Sequence, residues 1–507
     1  MSELSRTEGS LSSDRTLSQS SRILFSFAVV AFFDSSGFFS APNMLKFFLT
    51  KDPRKSSFQQ FIDIIHWSSS RMAARHQNSA LWRSLRHRDY KLYLSAQLVS
   101  VCGTWMQQVA QSWLIYRLTG SATLLGVVGF ASQIPIFALG PIGGVLTDRY
   151  SPHRIVVRTQ TAALIQAVLL AALTLTGWVQ PIHIILLGIV LGIVNALDMP
   201  ARQSLVNQLV NVEDLPNAIA LNSSMINAAR IVGPAIAGVV VAQVGEGVCF
   251  TINAISYLVV IGALLAMDVS RRMIGSAPHV ALTRSLAEGV NYALAISPIR
   301  QLLLLMGLVG FMGMPYITLM PVFAAEIHGG GADALGLMMG AVGIGALLGS
   351  LFLARRSKVL GLGRIIVVAA LTFGTGLILF SFSSVFALSL TILGVVGCAW
   401  MVLVAGCNTA LQTLADDKMR GRIMSLFSMM LVGMAPFGSL IAGWSADRLG
   451  AQRVIAIGGF FCALAGIIFA RQLPKLRKVA IPILVARGII PDPAAADGGG
   501  PVGIRRR

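Results

Sequence analysis

From Asp89 to Arg471 the chain repeats one pattern: a long apolar run, a short polar joint, then another apolar run. A helix rises about 1.5 Å per residue, so some 20 apolar residues cross a hydrocarbon core of about 30 Å. Twelve runs meet that length, at 91–116, 122–146, 154–177, 182–205, 216–243, 247–268, 300–323, 333–354, 363–382, 385–411, 422–445 and 450–471. Lipid offers backbone N–H and C=O groups no partner, so each run must be a helix. The pattern predicts an all-α integral membrane protein of twelve transmembrane helices in two six-helix bundles.

The polar stretches set the domain plan. Residues 1–80 form a poorly structured extension, Ser/Arg-rich and then apolar over Ile23–Phe33, a stretch too short to span. A basic segment beginning at Met72 leads into the first span, and the functional chain is expected to start near it. The first bundle covers 81–268 and the second 300–471. Between them, the linker 269–299 contains ALTRSLAEGVNYALAI, whose spacing suits an amphipathic surface helix. A faint internal repeat supports two halves: AGVVVAQVG (Ala237–Gly245) closes span five and AGWSADRLG (Ala442–Gly450) closes span eleven. The Pro- and Gly-bearing tail 472–507 is expected to be disordered and cytoplasmic.

Charge then fixes orientation. The net charge of +19 raises nucleic-acid binding, but the Lys and Arg residues fall mainly in alternate joints, at Arg71–Lys91, Arg149–Arg158, Arg271–Arg284, Arg355–Arg364, Lys418–Arg422 and Arg471–Lys478. Arg117, Arg448 and Arg453 fall on the other side. This is the positive-inside asymmetry of a multi-pass inner-membrane protein with both termini cytoplasmic. The five cysteines lie inside spans without pairing spacing, the seven histidines never cluster as ligands, and no GxxxxGK[ST] occurs. No metal, cofactor, nucleic-acid partner or enzymatic triad is expected. The expected partners are the bilayer, a small molecule and protons, with the chain a monomer.

The joint after span two carries the most specific motif. Gly144-Val145-Leu146-Thr147-Asp148-Arg149, with Arg154 beyond, resembles the GxLaDRxGRR signature of the major facilitator superfamily, although Ser151 and Pro152 stand where the family has Gly and Arg. Gly140, Gly144 and Asp148 share one helix face, so the two glycines are expected to admit a neighbouring helix. Asp198-Met199-Pro200-Ala201-Arg202 at the end of span four, NAIALNSS (Asn217–Ser224), ARIVGPAIAG (Ala229–Gly238) and DKMRGRIMSL (Asp417–Leu426) together resemble the enterobactin-exporter-like branch, over about Leu85 to Arg471. The resemblance implies the major facilitator fold, efflux and proton antiport. It also implies a latch in which Asp148 lies against the start of span eleven, near Gly421 and Arg422, while a nearby Arg pairs with an acid on span four; Asp148 and Arg149 match the motif, and the second basic role falls to Arg154 or His153. Asp198, with Arg202 at i, i+4, would supply the partner on span four. The competing reading is a plain turn with topology-setting charges. Gly233, Pro234 and Gly238 resemble the glycine–proline motif of antiporting members and mark a pliant point in span five, or ordinary small-residue packing.

Arg230 sits near mid-membrane, where an Arg costs at least about 2.5–3.5 kcal/mol. With Ser223, Asn227 and Pro234 it forms a polar stripe expected to face a water-filled cavity and meet an anionic substrate group, or an acid that takes up protons; the alternative is a structural pair with Asp198. Gln108, Gln111, Gln133, Asn195, Asn227 and Asn253 are candidates for the same cavity, or for interhelical hydrogen bonds. No acid lies mid-span, so Asp198 is the candidate proton carrier. The reading is a secondary transporter exporting a small amphipathic compound such as a drug or siderophore by alternating access. An importer or lipid-handling relative of the same fold, or a non-transporting sensor, are the alternatives.

Overall fold

The computed structural model describes residues 80–268, 282–356 and 361–487. The expectation for most of 1–80, half the linker and the end of the tail therefore lies outside the described residues. Helices fill the rest: α1 Arg88–Thr119, α2 Ala122–Arg149, α3 Pro152–Leu175, α4 Pro181–Leu209, α5 Leu215–Val244 and α6 Glu246–Leu265. The linker helix Leu282–Ala295 follows. Then come α7 Ser297–Ile327, α8 Ala332–Ala354, α9 Leu362–Phe382, α10 Phe386–Leu414, α11 Asp417–Leu449 and α12 Ala451–Ala486. Eleven of the described helices are long and apolar enough to cross a membrane; α1, at 32 residues, has the length but is diluted by Gln97, Gln107, Gln108 and Gln111.

Proline at the first or second position starts α3, α4 and α5, where its missing N–H leaves nothing unsatisfied. The repeat seen in the sequence has a structural counterpart: Gly245 and Gly450, its last residues, adopt φ of 86° and 87° and end α5 and α11. Only glycine adopts that backbone freely. Helices α7 and α11 each contain π turns, at Val309–Gly313, Phe323–Ile327 and Met429–Gly433.

The chain divides into two compact units, and the division cuts through two helices. The first unit holds α1, α3–α6, the second part of α2 from Ala138, and Gly330–Gly340 at the start of α8. Its core packs Tyr90, Tyr93, Val156, Leu205, Ala218 and Leu264, and α3 lies against α4 and α6. A short 3-10 helix, Ala80–Arg86, docks on the start of α5: Ser84 donates backbone and hydroxyl hydrogens to Asn217 Oδ1 (3.1 and 2.6 Å), and Arg83 and His87 reach Asp214. The second unit holds Thr119–Phe137, which is the α1–α2 turn and the start of α2, with the linker helix, α7, the rest of α8 and α9–α12.

The tail expectation is corrected. Helix α12 continues past Arg471 to Ala486 despite Pro474 and Pro482, because Leu476 and Leu484 are buried. The Arg487 guanidinium then clasps the Thr413 and Ala415 carbonyls and the Asp416 carboxylate, joining the end of α12 to the α10–α11 turn.

Candidate transport site and gating motifs

In the first unit, α1 and α5 meet at Gly233. A Cβ there would lie 2.6 Å from Trp105 Cβ and 2.9 Å from the Cys102 carbonyl oxygen, so only glycine lets the helices come this close. That approach sets the Arg230 guanidinium over the Trp105 ring, 5.4 Å from its centroid, a cation–π contact that offsets part of the charge's desolvation. Gln108, one turn beyond Trp105, is exposed; Ser223 is exposed, and Asn227 and Arg230 are half-buried. These residues form a surface with one cation, one aromatic face and several amides. Of the two readings of Gly233, a pliant point or small-residue packing, this contact is the second.

Other cavity candidates separate. Asn253 is fully buried and is corrected to an interhelical brace: its Nδ2 donates to Gln107 Oε1 at 2.7 Å, and Gln107 Nε2 donates on to Gln166 Oε1 at 3.1 Å. Gln111 is buried as well, at 6% exposure. Asn195 is half-buried on α4, while Gln133 belongs to the other unit. Every span is apolar enough for either face to be inward, so spacing alone did not separate lining amides from bracing ones.

Asp198 is 1% exposed. Its carboxylate accepts from Thr159 Oγ1 (2.6 Å) and Gln160 Nε2 (3.0 Å) and pairs with Arg202 one turn on. The alternative pairing of Asp198 with Arg230 is thus replaced by Arg202, whose i, i+4 spacing the sequence showed, and by two α3 donors, which it did not. At the end of α2 the expected close contact is also reassigned. A Cβ on Gly140 or Gly144 would meet nothing within 4 Å; it is Gly143 that packs, against the Ala196 carbonyl and the Pro200 ring of α4. Asp148, Arg149 and Arg154 are exposed, and their side chains form no hydrogen bond or ion pair among the described residues.

In the second unit Gly421 likewise has open space beside it, whereas Arg422 pairs with Glu288 of the linker helix at 2.8 Å. Tyr292 of the same helix accepts the Asp416 backbone N–H at 3.1 Å, and burial raises its phenol above the ordinary tyrosine range, keeping it neutral. The amphipathic linker helix is therefore docked on the start of α11, a contact the sequence pattern did not specify. Among the described residues no cluster of His, Cys, Asp or Glu could hold a metal ion.

Comparison with known proteins agrees with this architecture. Residues 79–497 match the family described as transmembrane secretion effectors. The Staphyloferrin A transporter of Staphylococcus aureus is 26% identical over 392 residues, 76% of this chain and 97% of that protein. The multidrug efflux pump Tap of Mycolicibacterium fortuitum is 24% identical, covering 76% and 96%, and macrolide efflux protein A of Streptococcus pyogenes 25%, covering 76% and 96%. Among solved structures, a bacterial homologue of the human lysosomal transporter Spinster superposes with a TM-score of 0.61 at 14% identity, over 78% of this chain and 98% of that one. The D-xylose–proton symporter gives 0.58 at 15%, over 74% and 97%. The chain is a multi-pass secondary transporter and belongs to the transmembrane secretion effector family of the major facilitator superfamily.

Proposed function

We propose that this transporter exports a small amphipathic compound bearing an anionic group, in exchange for protons, by alternating access in the bacterial plasma membrane. The observation that carries the substrate class is Arg230 over Trp105, flanked by Gln108 and Asn227. A guanidinium held on an aromatic face pairs with a carboxylate while the ring takes the apolar part of the same molecule. Siderophore and drug transport by the curated relatives supports small-molecule efflux.

Asp198 is the proton carrier in this reading. It is buried inside the first unit and held by Arg202 and two α3 donors, and a carboxylate so placed changes its hydrogen bonding when it takes up a proton. Asp148, at the end of α2, is the latch residue that alternately engages and releases during the cycle.

The test uses inverted vesicles with an imposed pH gradient and a fluorescent amphipathic carboxylate as the probe. Wild-type vesicles accumulate it only with the gradient. Arg230→Ala abolishes accumulation, Asp198→Asn removes its dependence on the gradient, and Asp148→Asn slows it. Unchanged flux in both aspartate variants removes the coupling and latch assignments together.

A further inference from the structure

The end of α11 carries a second Gly-x-x-x-Asp-Arg, Gly443 to Arg448, matching Gly144 to Arg149 at the end of α2. Its aspartate is fully engaged. Asp447 Oδ1 accepts the Ala122 backbone N–H at 2.7 Å, and Oδ2 accepts the Thr123 N–H at 2.9 Å and the Ser121 hydroxyl at 2.8 Å. Ser121 Oγ in turn accepts the Leu124 N–H at 3.3 Å. The first three N–H groups of α2, which have no partner within their own helix, are thus satisfied by one local serine and one carboxylate from a helix more than 300 residues away. The carboxylate also faces the positive end of the α2 dipole. Arg448 does not compete for it: that guanidinium folds back over the Trp444 ring, 3.8 Å from its centroid, and donates to the Trp444 carbonyl.

Below the cap the two helices touch backbone to backbone. A Cβ on Gly126 would lie 2.5 Å from the Ser439 carbonyl oxygen, and Gly443 faces the Ala122 carbonyl and the Gly126 Cα. The Thr318 and Ser439 hydroxyls pair at 2.9 Å alongside, and Phe130 meets Phe437 edge-on at 5.6 Å between centroids. Phe137 closes the seam against Gly433. From Ala138 onward α2 belongs to the other unit. Helix α2 has 28 residues, about 42 Å, so its capped start and its Asp148 end lie at opposite faces of the membrane.

We propose that Asp447 is a releasable cap that shuts the membrane face opposite Asp148, and that opening of that face requires it to leave the start of α2. The inference rests on the transport reading for its purpose, but not for its test. Three features suit Asp447 to release. The carboxylate is exposed, so water replaces its partners as it departs. A cap of ordinary strength biases an equilibrium by about 5- to 30-fold, a size that a transport cycle can reverse at each turn. The glycine seam beneath makes contacts without hydrogen bonds and separates once the cap is gone.

The experiment places a single cysteine at Ser439, which is 2% exposed beneath the cap, in a chain whose native cysteines are replaced by serine, and measures its alkylation by a maleimide in lipid nanodiscs. Asp447→Ala is expected to speed alkylation about 5- to 30-fold, and Asp447→Asn, which keeps one acceptor oxygen, by less. A second protein that also carries Ser121→Cys and Asp447→Cys, oxidised to a disulfide, is expected to label at position 439 no faster than the capped parent. Equal labelling rates for Asp447→Ala and its parent overturn the proposal. So does fast labelling of the disulfide-locked protein. Neither readout requires a substrate, so failure of the transport reading and failure of the cap are separate results.

Discussion

The two repeats that close α5 and α11 make the same contact with different chemistry. In the first, Gly238 faces the start of α8, where a Cβ would lie 2.9 Å from the Ala332 carbonyl oxygen and 3.0 Å from the Gly336 Cα. In the second, Gly443 faces the start of α2 at Ala122 and Gly126. Both seams are glycine on glycine, and both repeats end at a glycine of positive φ. Five residues after each seam glycine's preceding alanine, the chains diverge: Ala242 in one, Asp447 in the other. The start of α8 instead uses its own Asp333, which accepts the Gly331 N–H at 3.2 Å. Only the α11 seam is therefore closed by a charge from a distant helix. The contrast teaches that packing supplies the fit in both places, while polar control is concentrated in one.

The buried carboxylate Asp198 gives the scale for a side chain whose partners hold it inside the protein. Like Asp447 it has three partners, but it is 1% exposed and its partners include Arg202. Removing Arg202 as alanine leaves a buried, uncompensated charge, and is expected to destabilise the first unit by about 3 kcal/mol. Asp447→Ala is expected to cost about 1 kcal/mol, since water reaches the orphaned donors. Thermal unfolding of the two variants in one detergent measures the difference; equal losses would mean that Asp447 is held as firmly as Asp198.

Filling the seams tests the other half of the contrast. Valine at Gly443 or Gly238 forces apart backbones already in contact, at about 1–3 kcal/mol each. Both are expected to insert normally and to lose at least about ten-fold in transport, because the energy of overpacking falls on closure of the seam. Adding Asp447→Ala to Gly443→Val should then change little further, since a parted seam already lacks its cap. A full additional loss would separate the cap from the seam.

Much of this was legible in the residues, and the limits have physical causes. The helices follow from apolar length alone, since the bilayer gives the backbone no alternative. The repeat at 237–245 and 442–450 was visible because it needs glycine at two places, for close approach and for a left-handed turn. Side-chain roles were harder to read. Asn253 and Gln108 are both amides in apolar helices, yet one is a brace and the other is exposed, and nothing in their local sequence distinguishes them. Pro474 suggested an early end to α12, but buried Leu476 and Leu484 hold the helix beyond it. The cap made by Asp447 could not be read from the sequence, because its partners lie more than 300 positions away and two of its three donors are backbone N–H groups, which no residue type announces.

The smallest expected effect concerns the glycines of α2, and it separates stability from transport. Gly126 and Gly143 are packed against neighbouring backbone, whereas a Cβ on Gly144 would meet nothing within 4 Å. Alanine at Gly144 therefore adds no clash here and reduces the freedom of the unfolded chain, a gain of about 1 kcal/mol for a glycine inside a helix. The melting temperature should rise. If Asp148 engages another helix at some point in the cycle, the same methyl group then stands between the two backbones, and transport should fall. A rise in both quantities would mean that the open face beside Gly144 is never covered, and would leave Asp447 as the gate at one face with no counterpart at the other. A rise in stability with a fall in flux assigns the two Gly-x-x-x-Asp-Arg motifs to opposite faces of one alternating cycle.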